Sequence, residues 1–89
     1  MKNFDHLLNQ YRLLWNHRLL HGDLSSEEIL RDAIWRDLKD ENSHPRIRKT
    51  IFEKFYLSTK RILDSSLSHE TKCELVALHL EIVTTFEES

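Results

Sequence analysis

The sequence predicts an all-α fold, a small antiparallel four-helix bundle that forms one helical domain over residues 1–89. One glycine and one proline in 89 residues leave little material for the turns of a β fold. Apolar residues recur at helical spacing in four segments, at about residues 4–21, 26–40, 45–64 and 69–87. The connections between these segments are short, and short connections favour antiparallel neighbours.

The first segment carries a core arc centred near Trp15, and Gly22 follows where a C-cap glycine belongs. Leu13 and Leu20 lie off this arc, one heptad apart. They are either isolated surface leucines or a stripe that binds a partner. In the second case we expect a two-fold homodimer in which Leu13 and Leu20 take part, because so short a chain leaves much apolar surface uncovered.

The second segment begins with the clearest local signal in the chain. Ser25 and, three residues later, Glu28 form a capping box, which predicts that a helix starts here. Trp35 projects among charged residues, so its indole either lies flat against a neighbouring helix or binds a partner. The predicted core face of this helix consists of Ile29, Leu30, Ala33, Ile34 and Leu38.

The third segment has an apolar arc and a basic outer face. Asn42 or Ser43 is the expected N-cap, with Pro45 in the first turn. The predicted core arc is Ile47, Ile51, Phe52, Phe55, Tyr56, Ile62 and Leu63. The basic residues are Arg46, Lys49, Lys54, Lys60 and Arg61. They could bind phosphates, but the net charge of −2 and the lack of a helix-turn-helix signature favour a solvated face with salt bridges to acidic neighbours.

The fourth segment contains the most continuously apolar run of the chain, residues 73–86, so this helix should be covered on more than one side. We expect Leu80 and Phe86 to be buried, and Cys73 to be a small buried hydrophobic residue. His79 occupies a position at which the apolar periodicity predicts a leucine. It is either a neutral core histidine or a pH-sensitive or metal-binding position. Ser68 is the expected N-cap.

Residues for catalysis or metal binding are sparse. His17 and His21 are four apart with Asp23 nearby, but they lack the intervening glutamate of the zinc-protease motif, so we expect neither a metal site nor a cofactor. No phosphate loop or nucleophile elbow is present, which disfavours an enzyme. No run is long and apolar enough for a membrane span and no signal-peptide pattern is present, so we expect a cytoplasmic protein without membrane contact.

The function predicted from these patterns is that of a small non-enzymatic regulatory, adaptor or inhibitor protein. It would act by protein–protein binding through its helical surface, with Leu13, Leu20 and Trp35 as the candidate contacts. The alternative is a nucleic-acid-associated regulator that uses the basic face of the third helix.

Overall fold

The computed structural model describes residues 3–15, 24–40, 44–47 and 49–88. Four helices account for most of them: α1 (Phe4–Leu14), α2 (Ser26–Leu38), α3 (Ile51–Asp64) and α4 (His69–Glu88). A 3₁₀ turn, Pro45–Ile47, precedes α3. The described residues contain no strand, and the predicted all-α, four-helix bundle is confirmed.

Helix α4 packs against each of the other three helices and supplies the centre of the core. Leu75, Leu78 and His79 on this helix are completely buried. The remaining core residues come from all four helices: Leu7, Leu8, Tyr11, Trp15, Ile29, Leu30, Ala33, Ile34, Leu38, Ile62, Ile82 and Val83. Every residue of the predicted core face of α2 is therefore buried.

The outer flank of α4 differs from the prediction. Leu80 is 54% exposed, and Cys73, seven residues earlier on the same flank, is also exposed. The expectation that both are buried was wrong, while Phe86 is partly buried against the core. The physical reason is that the apolar arc of α4 is wider than the side that its three neighbours cover.

Helix α1 ends earlier than predicted. Asn3 caps its start, since its side chain accepts a hydrogen bond from the His6 amide at 3.1 Å. The backbone becomes extended at Trp15, so the helix ends at Leu14 and not near residue 21. At this point the Trp15 indole stacks on Tyr11, with ring centroids 4.3 Å apart. Gly22, the predicted C-cap, lies outside the described residues.

Side-chain caps define the starts of the other helices. The Ser25 hydroxyl accepts the Glu28 amide at 3.2 Å and Ser68 accepts the Thr71 amide at 3.2 Å, which confirms both predicted N-caps. Helix α2 ends at Leu38, two residues before the predicted boundary, and Asp40 follows with a left-handed φ of 53°.

Helix α3 begins later than predicted, at Ile51 instead of Pro45. Its N-cap is Thr50, whose hydroxyl accepts the Glu53 amide at 3.1 Å. The backbone at Thr50 is extended, and this break separates the helix from the 3₁₀ turn. Asn42 and Ser43, the predicted caps, lie outside the described residues.

Helix α3 runs antiparallel to both α2 and α4. Ser58 donates a hydrogen bond to Asp37 at 2.9 Å, and the Lys49 amide donates to Asp40 at 2.9 Å. Residue numbers therefore increase along α3 in the direction in which they decrease along α2. On the other side, Lys72 near the start of α4 donates to the carbonyl of Leu63 near the end of α3, at 3.0 Å.

Helix α1 begins at the same end of the bundle as α2 and α4. The Ser26 hydroxyl, at the start of α2, donates to the Asp5 carboxylate, and Thr71 of α4 lies 3.4 Å from His6 Nε2. Helix α1 therefore runs in the same direction as α2 and α4.

Candidate protein-binding surface

Within the part of the chain that the structure describes, the helix with the most exposed large apolar side chains is α3. Phe52, Tyr56 and Leu63 are 65%, 63% and 55% exposed, respectively. They are four and seven residues apart, so they share one face of the helix, with Thr59 filling the position between Tyr56 and Leu63. We call Phe52, Tyr56, Thr59 and Leu63 the α3 stripe.

The α3 stripe lies about a third of a turn from the residues that α3 buries. Ser58 and Ile62 are its buried residues, and they point toward the core between α2 and α4. The predicted core arc was therefore wrong for Ile47, Phe52, Tyr56 and Leu63, which are exposed, whereas Ile51 and Phe55 are partly buried. The arc is too wide for the two helices that pack against it.

Leu80 of α4 extends this apolar face. Phe52 lines a cavity of about 230 Å³ together with Ile51, Val83 and Phe86, so the start of α3 meets the end of α4. Because Leu63 meets Lys72 at the opposite end, the antiparallel register places Leu80 at the level of Tyr56, near the middle of α3. The α3 stripe and Leu80 together form what we call the α3/α4 surface.

A second cavity, of about 420 Å³, lies beside the C-terminal half of the α3 stripe. It is lined by Phe55, Tyr56, Thr59, Lys60, Leu63 and Asp64. The aromatic rings and Leu63 form an apolar wall, and Lys60 and Asp64 place opposite charges at its edge. An apolar recess with a charged rim is a shape that accepts an anchoring side chain of a partner.

Two of the basic residues predicted on the outer face of α3 contact other parts of the bundle instead. Lys54 lies on the α2 side, where its Nζ is 3.2 Å from Asp37 and 3.8 Å from Asp40. The guanidinium of Arg61 lies 4.9 Å above the Trp15 ring and donates to the Leu14 carbonyl at 3.4 Å. These two cations are therefore engaged in packing α3 against α1 and α2.

The other three basic candidates are exposed, although the backbone of Lys49 lies near Lys54, because both contact Asp40. Arg46 lies in the 3₁₀ turn, Lys49 precedes α3, and Lys60 flanks the α3 stripe. Their side chains have no ion-pair partner among the described residues.

Trp35 is held in a stack on the surface. Its ring lies 5.8 Å from that of Phe86 on α4, at an interplanar angle of 18°, and Lys39 Nζ lies 4.1 Å from the indole centroid. The indole therefore packs on a neighbouring helix while 37% of the residue stays exposed. Partner binding by Trp35 stays a prediction.

Of the two leucines predicted to mark a partner stripe on the first helix, Leu13 is 73% exposed. Leu20 lies outside the described residues. A homodimer through these two residues stays a prediction.

His79 belongs to an aromatic cluster inside the core. Its Nδ1 lies 2.7 Å from the Leu75 carbonyl, and its ring lies 6.0 Å from Trp15 and 6.4 Å from Tyr11. Burial lowers the pKa of His79 below its usual value, against smaller opposing effects of the Leu75 carbonyl and Asp37. Nε2 has no hydrogen-bond partner within the described part of the chain. Burial of the ring was predicted correctly, whereas the expected partner for each nitrogen is present for Nδ1 alone.

Tyr11 is the second titratable group of this cluster. Burial and the nearby Asp37 carboxylate raise the pKa of its phenol, while Arg61 acts in the opposite direction. Both Tyr11 and His79 are therefore neutral near pH 7, as their apolar surroundings require.

The described part of the chain holds no group of three or more histidine, cysteine or acidic side chains arranged to bind a metal ion. None of its helices has the length and apolar character to cross a membrane. His17, His21 and Asp23 lie outside the described residues.

Fold and surface together define a small helical bundle with an uncovered apolar face. The chain belongs to the YoyC family, whose pattern matches residues 1–89. A Bacillus subtilis (strain 168) protein with the name "Uncharacterized protein YoyC" is 38% identical over 81 residues, which make up 91% of this chain and 86% of that protein. No solved structure matches the chain.

Proposed function

We propose that this protein is a small non-enzymatic regulatory, adaptor or inhibitor protein of the cytoplasm, and that it acts by binding another protein. The observation that carries the proposal is the α3/α4 surface, where three large apolar residues of α3 and Leu80 of α4 are each more than half exposed. Contiguous exposed apolar residues rimmed by charges are typical of protein-binding sites.

The buried titratable groups support a binding role over a catalytic one. Tyr11 and His79 are enclosed by core residues, with Trp15 stacked against both rings. Neither of them lines the two cavities beside the α3 stripe. Their surroundings keep both side chains neutral and packed, which is the behaviour of structural core groups.

The nucleic-acid alternative has less support. Lys54 contacts acidic residues of α2 and Arg61 contacts Trp15, so the charges of these two side chains are already engaged within the bundle. Phosphate binding by the remaining three would weaken steeply with added salt. Binding to an apolar surface would not weaken steeply with added salt.

The test is affinity capture with matched variants. Immobilised wild-type chain, a Tyr56→Ser, Leu80→Ser double variant and a Leu13→Ser control are each exposed to nuclease-treated lysate of the source cell. All three changes remove an exposed apolar side chain, but Leu13 lies on α1. We expect mass spectrometry to find a protein retained by the wild type and the control and lost from the double variant. Equal retention by all three chains, or no retained protein, would contradict the proposal.

A further inference from the structure

We propose that the α3/α4 surface binds a second copy of this chain, with the two α3 helices antiparallel across a two-fold axis. The inference rests on the proposed function, because it names the partner of the same surface. Three features carry it: the spacing of the apolar residues, the order of the charges beside them, and the position of the larger cavity.

The apolar spacing is that of a helix-pairing seam. Phe52, Tyr56, Thr59 and Leu63 follow one another at intervals of four, three and four residues, the alternation found where two helices pack side by side. In an antiparallel pair whose axis passes between Leu57 and Ser58, Phe52 faces Leu63 of the partner subunit. Tyr56 faces Thr59 of the partner subunit, so each layer joins an aromatic ring to a smaller side chain.

The charges beside the stripe suit the same antiparallel pairing, because the midpoint between Glu53 and Lys60 lies one residue from the midpoint of the stripe. Glu53 and Lys60 lie seven residues apart on one flank of the stripe, and neither has an ion-pair partner among the described residues. The antiparallel arrangement places Glu53 next to Lys60 of the partner subunit, and the two-fold axis repeats this pair.

Glu53 and Lys60 carry opposite charges, so this flank presents one acidic and one basic position to its own copy. A foreign helix of uniform charge would instead meet a like charge at half of these positions, so the flank is complementary to itself.

The larger cavity lies where the partner's aromatic residue arrives. It is about 420 Å³ in volume and extends along the stripe from Tyr56 to Leu63. Because Leu63 is opposite Phe52 of the partner subunit, the partner's Phe52 enters this recess. The same contact occurs twice, and Leu80 on α4 borders the middle of the interface.

The experiment is sedimentation equilibrium from about 1 µM to about 1 mM, the range in which small interfaces associate. The wild type should approach the dimer mass. Glu53→Lys and Lys60→Glu each put like charges across the axis, and each should weaken association about tenfold. Arg46→Glu is the matched control, since it makes the same charge change as Lys60→Glu at an exposed site outside the surface.

Two recombinations make the test specific. A chain that carries both Glu53→Lys and Lys60→Glu regains opposite charges across the axis, and its association should return to the wild-type level. An equimolar mixture of the two single variants should form a heterodimer, since one chain then supplies two lysines and the other two glutamates. Recovery in either case also shows that the single variants are folded.

Several results would overturn the dimer. They are a wild type that stays monomeric, single charge reversals that have no effect, and a double swap that fails to recover. Loss of the dimer in Leu13→Glu with retention in Tyr56→Glu would move the interface to α1 and equally overturn it.

Failure of the dimer and failure of the proposed function give different results. A monomer that still retains another protein through Tyr56 and Leu80 overturns the dimer and leaves the proposed function standing. A dimer whose disruption leaves capture of all other proteins unchanged supports the dimer and contradicts the proposed function.

Discussion

Helices α2 and α3 begin with the same kind of N-cap but differ in how much of their apolar face is buried. Each starts at a hydroxyl N-cap, Ser25 or Thr50, that accepts the amide of a glutamate three residues on. Helix α2 buries its whole predicted apolar face. Helix α3 buries only Ser58 and Ile62, and leaves two aromatic rings and two leucines exposed.

The difference follows from the number of neighbours. Helix α2 lies against α1, α3 and α4, and these three cover one side of it completely. Helix α3 packs chiefly against α2 and α4, and the salt bridges of Lys54 occupy part of its contact with α2. An amphipathic pattern therefore shows which side chains favour burial, whereas the number and position of neighbouring helices decide how many are buried.

The largest expected effect on stability comes from a matched pair of leucine truncations. Leu30 on α2 is completely buried, so Leu30→Ala should lower the free energy of unfolding by about 2 to 5 kcal/mol. Leu63→Ala on α3 removes the same atoms from a side chain that is 55% exposed and should cost less than about 1 kcal/mol. Urea unfolding below the concentration at which the chain associates measures both. Equal losses would show that α3 is as well covered as α2.

The second-largest loss of stability is expected from a change at the contact between α2 and α3. Asp37 accepts a hydrogen bond from Ser58 at 2.9 Å and pairs with Lys54 at 3.2 Å, and both ion-pair side chains are mostly buried. Asp37→Ala leaves the Ser58 hydroxyl without its acceptor and leaves Lys54 with the longer 3.8 Å contact to Asp40. It should cost about 1 to 3 kcal/mol in thermal or urea unfolding.

Asp32→Ala is the control for this change, because it removes the exposed pair with Arg36 on the same helix. Its cost should stay below about 1 kcal/mol. If the two variants lose the same amount, the Asp37 contacts do not hold α3 in place.

The third effect is a pH dependence that arises in the core. The pKa of His79 is lowered in the folded chain, so below its ordinary value near 6.5 the unfolded chain binds more protons than the folded chain. The part of the unfolding free energy that depends on a neutral His79 should therefore be fully present above about pH 6.5. It should decrease as the pH falls, by at most about 1.4 kcal/mol per pH unit.

Urea unfolding between about pH 7.5 and pH 5 measures this slope, with His79→Leu and His69→Gln as the variants. The first should remove most of the slope. The second changes an exposed histidine of the same helix and should keep it. An unchanged slope in His79→Leu would assign the effect to other groups.

The smallest effect compares the two N-caps. Ser25→Ala and Thr50→Ala should each lower stability by about 1 kcal/mol, because each leaves a helix amide without its acceptor. Thermal unfolding by circular dichroism measures both. A melting temperature that falls for Ser25→Ala but not for Thr50→Ala would indicate that α3 starts before Ile51, as the sequence pattern alone suggested.

Local patterns predicted the parts of this fold that depend on neighbouring residues along the chain. The caps at Ser25 and Ser68, the core face of α2 and the burial of His79 all follow from periodicity and hydrogen-bonding capacity over a few residues. The start of α3 was missed because Pro45 is acceptable in the first turn of a helix, although Thr50 and Glu53 form the same capping-box pattern as Ser25 and Glu28.

The candidate surface could not be found in the same way. Phe52, Tyr56 and Leu63 have the periodicity of core residues, and an uncovered apolar face has the same sequence pattern as a covered one. One available signal was the width of the apolar arc on α3, which exceeds what two neighbouring helices cover. Leu80 was misplaced for the same reason.

The sequence by itself determined that the chain forms four helices, where two of them are capped, and which side chains favour removal from water. These properties depend on backbone hydrogen bonding and side-chain polarity within one or two helical turns. Tertiary structure alone decided which apolar residues remain exposed, that Lys54 and Arg61 turn toward α2 and Trp15, and that α1 begins beside α2 and α4. Those outcomes depend on how many helices surround each face, and that number is a property of the assembled bundle.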